Sequence, residues 1–341
     1  MLSLIRGRRS DTTLPALIVD SPWLPAYAGA GTMDFYFDPE TWLGIWSKVR
    51  GDLPDAAFVP GAWIELGMVA EPSGWGVPVQ WSDRQPPGVL HHPGGLEALA
   101  GAPVPNPESD GMMPMVLRQY ERMAGSLGAA GLAPRMAACR GPMAVASHLL
   151  GVTEMLMATQ LEPDACQRLF DKTTDLCIRW LRAQLDRMEA PVGILVLDDL
   201  YGMMGPDDAR TFGLERLQRI FGEFPGLVRF FHNDTPNEHV FPVLAESGMD
   251  VFNFSHETDL VRARELLGPD VVLMGNLPPL DLLVRGTTEE VVEATVRQLD
   301  LLPDVGPMLI SPGGGVSPGT PIENLQAMCG AVAERFPATG N

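Results

Sequence analysis

The chain has 341 residues, of which 45% are hydrophobic and 20% charged, so it can form a large core and does not have the composition of a disordered segment. Its formal net charge of −19 excludes the broad Lys/Arg surface that nucleic-acid binding requires. Four scattered cysteines make neither a disulfide framework nor a paired zinc site, and no apolar run has the length of a membrane span or a signal peptide, so we expect a cytoplasmic protein without nucleic-acid or membrane partners.

Short apolar runs alternate with longer amphipathic stretches, which is the pattern of repeated β-α units. The runs are nearly continuous in hydrophobicity, as expected of strands that are covered on both faces. In chain order the predicted strands are 14–20, 56–60, 135–139, 192–198, 227–232, 250–254, 270–275 and 307–311. This count predicts an α/β fold of the (β/α)8 TIM-barrel type. We interpret 1–341 as one domain with an N-terminal extension and an excursion near 72–112.

Helical patterns occupy the intervals between these runs. They predict helices over 163–188, 237–248, 258–268 and 287–302, and a further helix that begins near Pro321 with Thr320 as its N-cap. Gly248 and Gly268 stand where two of these helices end, a position that favours the left-handed conformation of glycine.

Polar residues follow several predicted strands at the end where the barrel would open. In a (β/α)8 barrel the carboxyl ends of the strands and the loops after them carry the chemistry. We therefore predict a catalytic group at this end that consists of Asp199, His232 and Asp234. Other polar residues near the same end are predicted to bind substrate, namely Asp198, Asn253, Asn276 and Glu65.

The chemistry of this group leaves two interpretations open. A histidine beside carboxylates can serve as a general acid, or as a metal site with His232 and Asp234 as ligands. The donor set is compatible with zinc, and a softer or harder metal stays open. The same residues also have purely structural interpretations: Asp198 as a helix cap, Asp234 in an Asx turn, and Asn253 as a tie between adjacent loops.

The second half of the chain contains three long motifs in a fixed order: FFHNDTPNEHVFPVLAESGMDVFNF, then VVLMGNLPPLDLLVRGTTEEVVEATV, then LISPGGGVSPGTPIENLQAM. In order and spacing this region, from about 135 to 335, resembles the uroporphyrinogen decarboxylase superfamily, with weaker similarity around 67–81. The superfamily contains uroporphyrinogen decarboxylases and cobalamin-dependent methyltransferases. The resemblance therefore implies a barrel and leaves a choice between two chemistries.

The residues of the decarboxylase branch are missing. The decarboxylases resemble one another in an N-terminal motif whose arginines bind substrate carboxylates, whereas the segment 21–31 here has no arginine. The family's essential aspartate falls on Gly67, its substrate tyrosine on His148 and its C-terminal histidine on Gly314. These departures argue against porphyrinogen decarboxylation, and they make His148 a further candidate for substrate binding.

The zinc ligands of the superfamily's thiol methyltransferases are only partly kept. Those enzymes resemble one another in a His-x-Cys pair and a later cysteine. Here the first position is His232, the second is Asp234 and the third is Gly314. The two sulfur ligands are thus absent, and we do not expect the chain to activate a thiol in that way.

The resemblance then implies a demethylating methyltransferase, which moves a methyl group from a small methylated, for example methoxyaromatic, substrate to a corrinoid protein. The motifs EPSGWG, LDDLYG, HND and MGNLPP are similar to that subgroup. The cobalamin is expected on a separate partner protein, because the chain has no Asp-x-His-x-x-Gly motif and no second domain for it. Two alternatives stay open: a divergent decarboxylase or lyase, and a non-catalytic barrel that binds a tetrapyrrole or a partner. Whether the chain forms a homodimer also stays open.

Overall fold

Eight parallel strands form the framework of the protein in a computed structural model that describes residues 1–337. The strands, which we label β1 to β8, are Ala16–Leu17, Ala57–Phe58, Met136–Arg140, Gly193–Leu197, Val228–Asn233, Val251–Phe254, Val272–Leu277 and Met308–Pro312. Each lies within or overlaps one of the runs predicted from the sequence. The predicted (β/α)8 barrel is therefore confirmed.

The strands follow one another around the barrel in chain order. Strands β3 to β8 form a continuous parallel sheet, and β1 pairs in parallel with β2. A bridge between Pro15 and Ile310 places β1 beside β8. Between β2 and β3 the interior is filled by side chains, since Val59, Trp63 and Met136 belong to one buried cluster. All strand ends that carry polar residues therefore point toward one mouth.

Helices surround the strands and cover the outer face of the sheet. In chain order, α1 to α17 are Leu2–Gly7, Leu24–Ala28, Thr32–Phe37, Pro39–Asp52, Ala70–Ser73, Gly95–Gly101, Met113–Ala129, Pro142–Leu150, Val152–Leu161, Pro163–Leu185, Pro206–Asp208, Glu215–Gly222, Phe241–Leu244, Leu260–Leu267, Thr288–Asp300, Leu302–Val305 and Ile322–Arg335. Across residues 1–337, none of these helices has the length and apolar character needed to cross a membrane.

Two local predictions need correction. The helix expected over 237–248 is broken into a 3₁₀ turn, the short α13 and a second 3₁₀ turn, because Pro242 cannot donate a backbone hydrogen bond inside a long helix. Thr320 does not cap α17, since its hydroxyl donates to the carbonyl of Ser317. Gly248 and Gly268 do end helices with positive φ angles of 88° and 74°.

The alternation of side chains along each strand decides which residues reach the barrel interior. Val228 and Phe230 of β5 lie in the interior cluster, whereas Phe231 packs outward against the helices. By the same period of two, His232 faces inward at the mouth. Asn253 of β6 follows the same rule after Val251. At the opposite end, Leu4 and Ile5 of α1 pack into the interior cluster and close the barrel floor.

The segment 72–112 lies between β2 and β3. It contains the end of α5, a two-stranded antiparallel hairpin of Val79–Gln80 and Gly88–Val89, and helix α6. The N-terminal residues before β1 form α1, where Arg6 donates to the carbonyl of Gly226. These two parts account for the irregular composition of the first third of the chain.

Candidate active site

Three predicted catalytic residues meet at the mouth of the barrel. One ligand atom from each of Asp199, His232 and Asp234 lies within 4.8 Å of the other two. The imidazole Nε2 of His232 is 3.9 Å from a carboxylate oxygen of Asp199 and 3.9 Å from one of Asp234. These distances are too long for direct hydrogen bonds and leave room for an atom between the three side chains.

Hydrogen bonds fix the orientation and the tautomer of His232. The side-chain amide of Asn253 donates to the carbonyls of Met274 and Pro312, at 3.0 and 3.2 Å, so its oxygen must point the other way. That oxygen lies 2.7 Å from Nδ1 of His232. Nδ1 therefore carries the proton, and Nε2 presents its lone pair to the two carboxylates. This arrangement is typical of histidine ligands to a metal.

The loop after β8 leaves space for Asp234 because it lacks a side chain there. Gly314 has a φ of +125°, and a Cβ on it would lie 2.5 Å from the carboxylate of Asp234. The backbone amide of Asp234 in turn donates to Asp199 at 3.2 Å. Burial raises the pKa of Asp234, with a further increase from the charge of Asp199 and opposing effects of His232 and Arg140. A bound cation would reverse this increase by stabilising both carboxylates.

We expect Gly314→Ala to displace the Asp234 carboxylate and to lower the affinity for a divalent cation by about tenfold or more. Zinc binding to the chelator-treated protein, measured by calorimetry, checks this. Gly315→Ala is the matched control, since a Cβ there would meet nothing closer than 3.7 Å. Equal zinc affinities of the two variants would contradict the role given to Gly314.

A second polar group lies at the mouth, beside the carboxyl ends of β1, β2 and β3. Asp20 follows β1, Glu65 lies in the loop after β2, and Arg140 ends β3. Glu65 accepts hydrogen bonds from the backbone amides of Ser21 and Gly67. Burial raises the pKa of Glu65 to about 8, aided by the like charge of Asp20 and opposed by Arg140. Burial also raises the pKa of Asp20, against the charges of Arg140 and His232, which places Asp20 between the two groups.

Asp198 is turned away from the mouth, contrary to its predicted role in substrate binding. It is completely buried, and its carboxylate accepts from the backbone amides of Met143 and Leu200. Asp198 thus caps the 3₁₀ turn that follows it, the structural alternative considered from the sequence, and it also satisfies the N-terminus of α8. Burial raises its pKa to about 7.

The stability of the protein is expected to fall between about pH 4 and pH 7 on account of Asp198. Its folded-state pKa of about 7 exceeds the ordinary 3.8, so the folded state binds more protons in this window. The contribution is present at low pH and lost as pH rises through 7, with an upper bound of about 4 kcal/mol. Urea unfolding across this range should show a flatter dependence for Asp198→Asn than for the wild type. The exposed Glu189→Gln should keep the wild-type slope, and an unchanged slope in Asp198→Asn would contradict the assignment.

Asn276 is also placed outside the mouth. Its amide nitrogen donates to the carbonyls of Ser255 and Thr258, and its oxygen accepts from Gln298 of α15. Because its hydrogen-bonding groups are occupied by loops and an outer helix, its position argues against contact with a substrate. His148 lies on α8, and burial together with the charge of Arg140 lowers its pKa to about 4. It stays a candidate for lining the pocket as a neutral imidazole.

The sequence reasoning missed Asp20 and gave no role to Arg140. Both carry the same signal as the residues that were selected, because each directly follows or ends an apolar run. The rule that chemistry gathers at strand ends would have found Asp20 if it had been applied to the irregular first third of the chain. Tyr36, whose hydroxyl lies near Gly67 at this mouth, has no such signal in the sequence.

Fold and site together define a (β/α)8-barrel protein with a histidine and carboxylates at its carboxyl mouth. The family model described as uroporphyrinogen decarboxylase (URO-D) matches residues 29–335. The chain belongs to the uroporphyrinogen decarboxylase family, as the motifs of its second half predicted.

Individual relatives come from both branches of this family. The chain is 27% identical to a methylated-thiol–coenzyme M methyltransferase of Methanosarcina mazei, over 98% of this chain and 88% of that protein. It is 28% identical to a uroporphyrinogen decarboxylase of Thermus thermophilus, over 83% and 82% of the two chains. The solved structure of a methyltransferase from Methanosarcina mazei superimposes with a TM-score of 0.83 at 21% identity, covering 98% of this chain and 97% of that one. This superposition supports the fold.

Proposed function

We propose that the protein is a methyltransferase that removes a methyl group from a small methylated compound, such as a methoxyarene, and passes it to the cobalt of a corrinoid held by a partner protein. The observation that carries this proposal is the convergence of Asp199, His232 and Asp234 at the mouth of the barrel. The methyltransferase relative that aligns over nearly the whole chain supports the same reaction class.

The reaction requires stabilisation of the negative charge that develops on the leaving oxygen. The carbon–oxygen bond of the donor breaks as its methyl group is transferred, and the departing oxygen gains negative charge. One imidazole nitrogen and two carboxylates are a donor set that suits zinc or another divalent cation. The fixed lone pair of His232 and the space that Gly314 leaves for Asp234 fit such an ion. Bound there, the cation would supply a Lewis acid for the leaving oxygen.

The protein's own residues orient the ligand atoms and line the mouth of the barrel. Asn253 holds the His232 ring in one orientation, so that the ligand atoms keep their relative places without a substrate. Asp20 and Glu65 lie on the other side of the mouth with raised pKa values, and a neutral carboxyl there can donate a hydrogen bond to the donor molecule.

Exposed apolar residues at the rim of the mouth are consistent with the binding of a protein partner. Met68, Met203 and Leu280 are 39%, 51% and 52% exposed and lie in the segments that follow β2, β4 and β7. Exposed apolar side chains on three loops at the same end of the barrel offer contacts that a partner could cover. A corrinoid domain placed over this opening would bring its cobalt toward the donor methyl group.

Anaerobic incubation with zinc, chemically reduced cob(I)alamin and a panel of methoxyarenes tests the proposal. We expect methylcobalamin to form from at least one donor, seen as the change in corrinoid absorbance, and to depend on His232. The absence of methylcobalamin with every donor would refute the proposal. Turnover of uroporphyrinogen under the same conditions would instead favour the decarboxylase alternative.

A further inference from the structure

Among the described residues, Arg140 is a buried cation without a partner of opposite charge. Its residue is only 8% exposed, and across residues 1–337 no carboxylate lies within 4.0 Å of its guanidinium nitrogens. Among these residues the buried Nε has no hydrogen-bond acceptor, one terminal nitrogen makes a long contact of 3.4 Å to the carbonyl of Gly67, and the guanidinium carbon lies 6.0 Å from the centre of the Trp63 ring. A buried guanidinium left in this state is costly unless an anion or ordered water accepts from it.

Two further buried hydroxyl groups lie at the mouth. The hydroxyl of Ser311 is buried without a hydrogen bond among the described residues, and the buried phenol oxygen of Tyr36 lies beside the side chain of Ser21. The charge of Arg140 affects the pKa of Tyr36, so the two side chains share one region. Ser311 ends β8, the neighbour of β1, and alternates inward after Leu309. The guanidinium can only donate hydrogen bonds, whereas the two hydroxyls can donate or accept, so a ligand that offers acceptor oxygens can satisfy all three groups.

The neighbouring acids do not neutralise Arg140 in the way an ion pair would. Burial raises the pKa of Asp20 and of Glu71, and it raises the pKa of Glu65 to about 8, so these groups take up a proton more readily than free carboxylates. Glu65 is already held by the backbone amides of Ser21 and Gly67. Arg140 therefore keeps a positive charge available for an incoming anion at the end of β3.

We propose that Arg140 binds a carboxylate of the methyl donor, so that the substrates of this protein are methylated carboxylic acids. The binding of a carboxylate is inferred from Arg140 alone. That the bound molecule is a methyl donor rests on the proposed function. The planar guanidinium can hold a carboxylate with two parallel hydrogen bonds. The donor is thereby anchored at β3 while its methyl-bearing end lies toward β4 and β5.

Binding of matched acids and amides tests this without any methyl transfer. We would titrate 3-methoxybenzoate and its neutral counterpart 3-methoxybenzamide, and then methoxyacetate and methoxyacetamide, into the protein by calorimetry without corrinoid. We expect at least one acid to bind about 100-fold more tightly than its amide. Equal binding of acid and amide in both pairs would overturn the inference and leave Arg140 satisfied by water. Titrations with zinc and with chelator separate Arg140 from binding of the carboxylate to a cation.

Variants of Arg140 assign the preference to this residue. Arg140→Gln should bind acid and amide within about threefold of each other, and Arg140→Lys should lose most of the preference because it keeps the charge without the planar fork. The exposed Arg179→Gln, on the outer helix α10, should behave as the wild type. If circular dichroism shows that Arg140→Gln does not fold, the acid and amide affinities of Arg140→Lys provide the test. A wild-type preference that survives in the folded variants would overturn the inference.

The two proposals fail in different ways. Acid binding that depends on Arg140, without methylcobalamin from any donor, would support the carboxylate site and refute methyl transfer. Equal rates of methylcobalamin formation from acids and amides would support methyl transfer and refute the carboxylate site.

Discussion

His232→Gln is expected to abolish zinc binding at the mouth and, with it, methyl transfer to the corrinoid. His232 supplies the nitrogen that faces Asp199 and Asp234, and the two carboxylates alone cannot complete a tetrahedral site. Loss of a residue that only orients a ligand costs about 10- to 100-fold in metal affinity, so loss of the ligand itself should cost more than about 100-fold. Calorimetric zinc titration and the methylcobalamin assay measure the two effects.

The control for this prediction is His256→Gln. His256 is exposed in the loop after β6, at the same end of the barrel, and lies outside the group of three. It should retain wild-type zinc affinity and activity. Zinc binding that is equally tight in the wild type and in His232→Gln would show that the ion binds elsewhere.

Asn253→Leu is expected to lower zinc affinity by about 10- to 100-fold while His232 itself is unchanged. The substitution removes the oxygen that holds Nδ1 protonated, so the ring can rotate or exchange its tautomer. It also leaves the carbonyls of Met274 and Pro312 without their donor, which should reduce the free energy of unfolding by about 1–3 kcal/mol.

Asn276→Leu separates these two effects. It removes a similar number of buried hydrogen bonds, to Ser255, Thr258 and Gln298, but has no contact with His232. We expect a comparable loss of stability with unchanged zinc affinity. If both variants lost zinc equally, Asn253 would act only through stability and its orienting role would be refuted.

The strands could be predicted from the sequence because each is a short apolar run between helical patterns. The helix over 163–188 could be predicted for the same reason, since its apolar residues repeat at helical spacing over many turns, and it is observed as Pro163–Leu185. The hydrophobic pattern alone does not predict the division of 237–248. The break is caused by Pro242, to which this pattern is insensitive.

The site was only partly predictable because neighbouring residues at a strand end point in opposite directions. Asp198 and Asp199 are equivalent in the sequence, yet one satisfies the N-terminus of α8 and the other faces His232. The sequence does not show at which residue the alternation stops, so it could not choose between them. Asn276 was misjudged for the same reason.

The second polar group depends on contacts across long distances in the chain. Asp20, Glu65 and Arg140 come together only because the barrel closes between β2 and β3. The short strands of the first third gave no sequence signal for this closure. Arg140 ends an apolar run in the sequence, but its lack of a charged partner among the described residues is visible only when its neighbours in the fold are in place.

X-ray absorption at the zinc edge, on protein loaded with one equivalent of zinc, tests the central claim most directly. We predict a first coordination shell of nitrogen and oxygen atoms at about 2.0–2.2 Å with the outer-shell scattering of one imidazole, and the loss of this imidazole signal in His232→Gln. A sulfur ligand at about 2.3 Å, or a spectrum without histidine, would contradict a metal site formed by Asp199, His232 and Asp234.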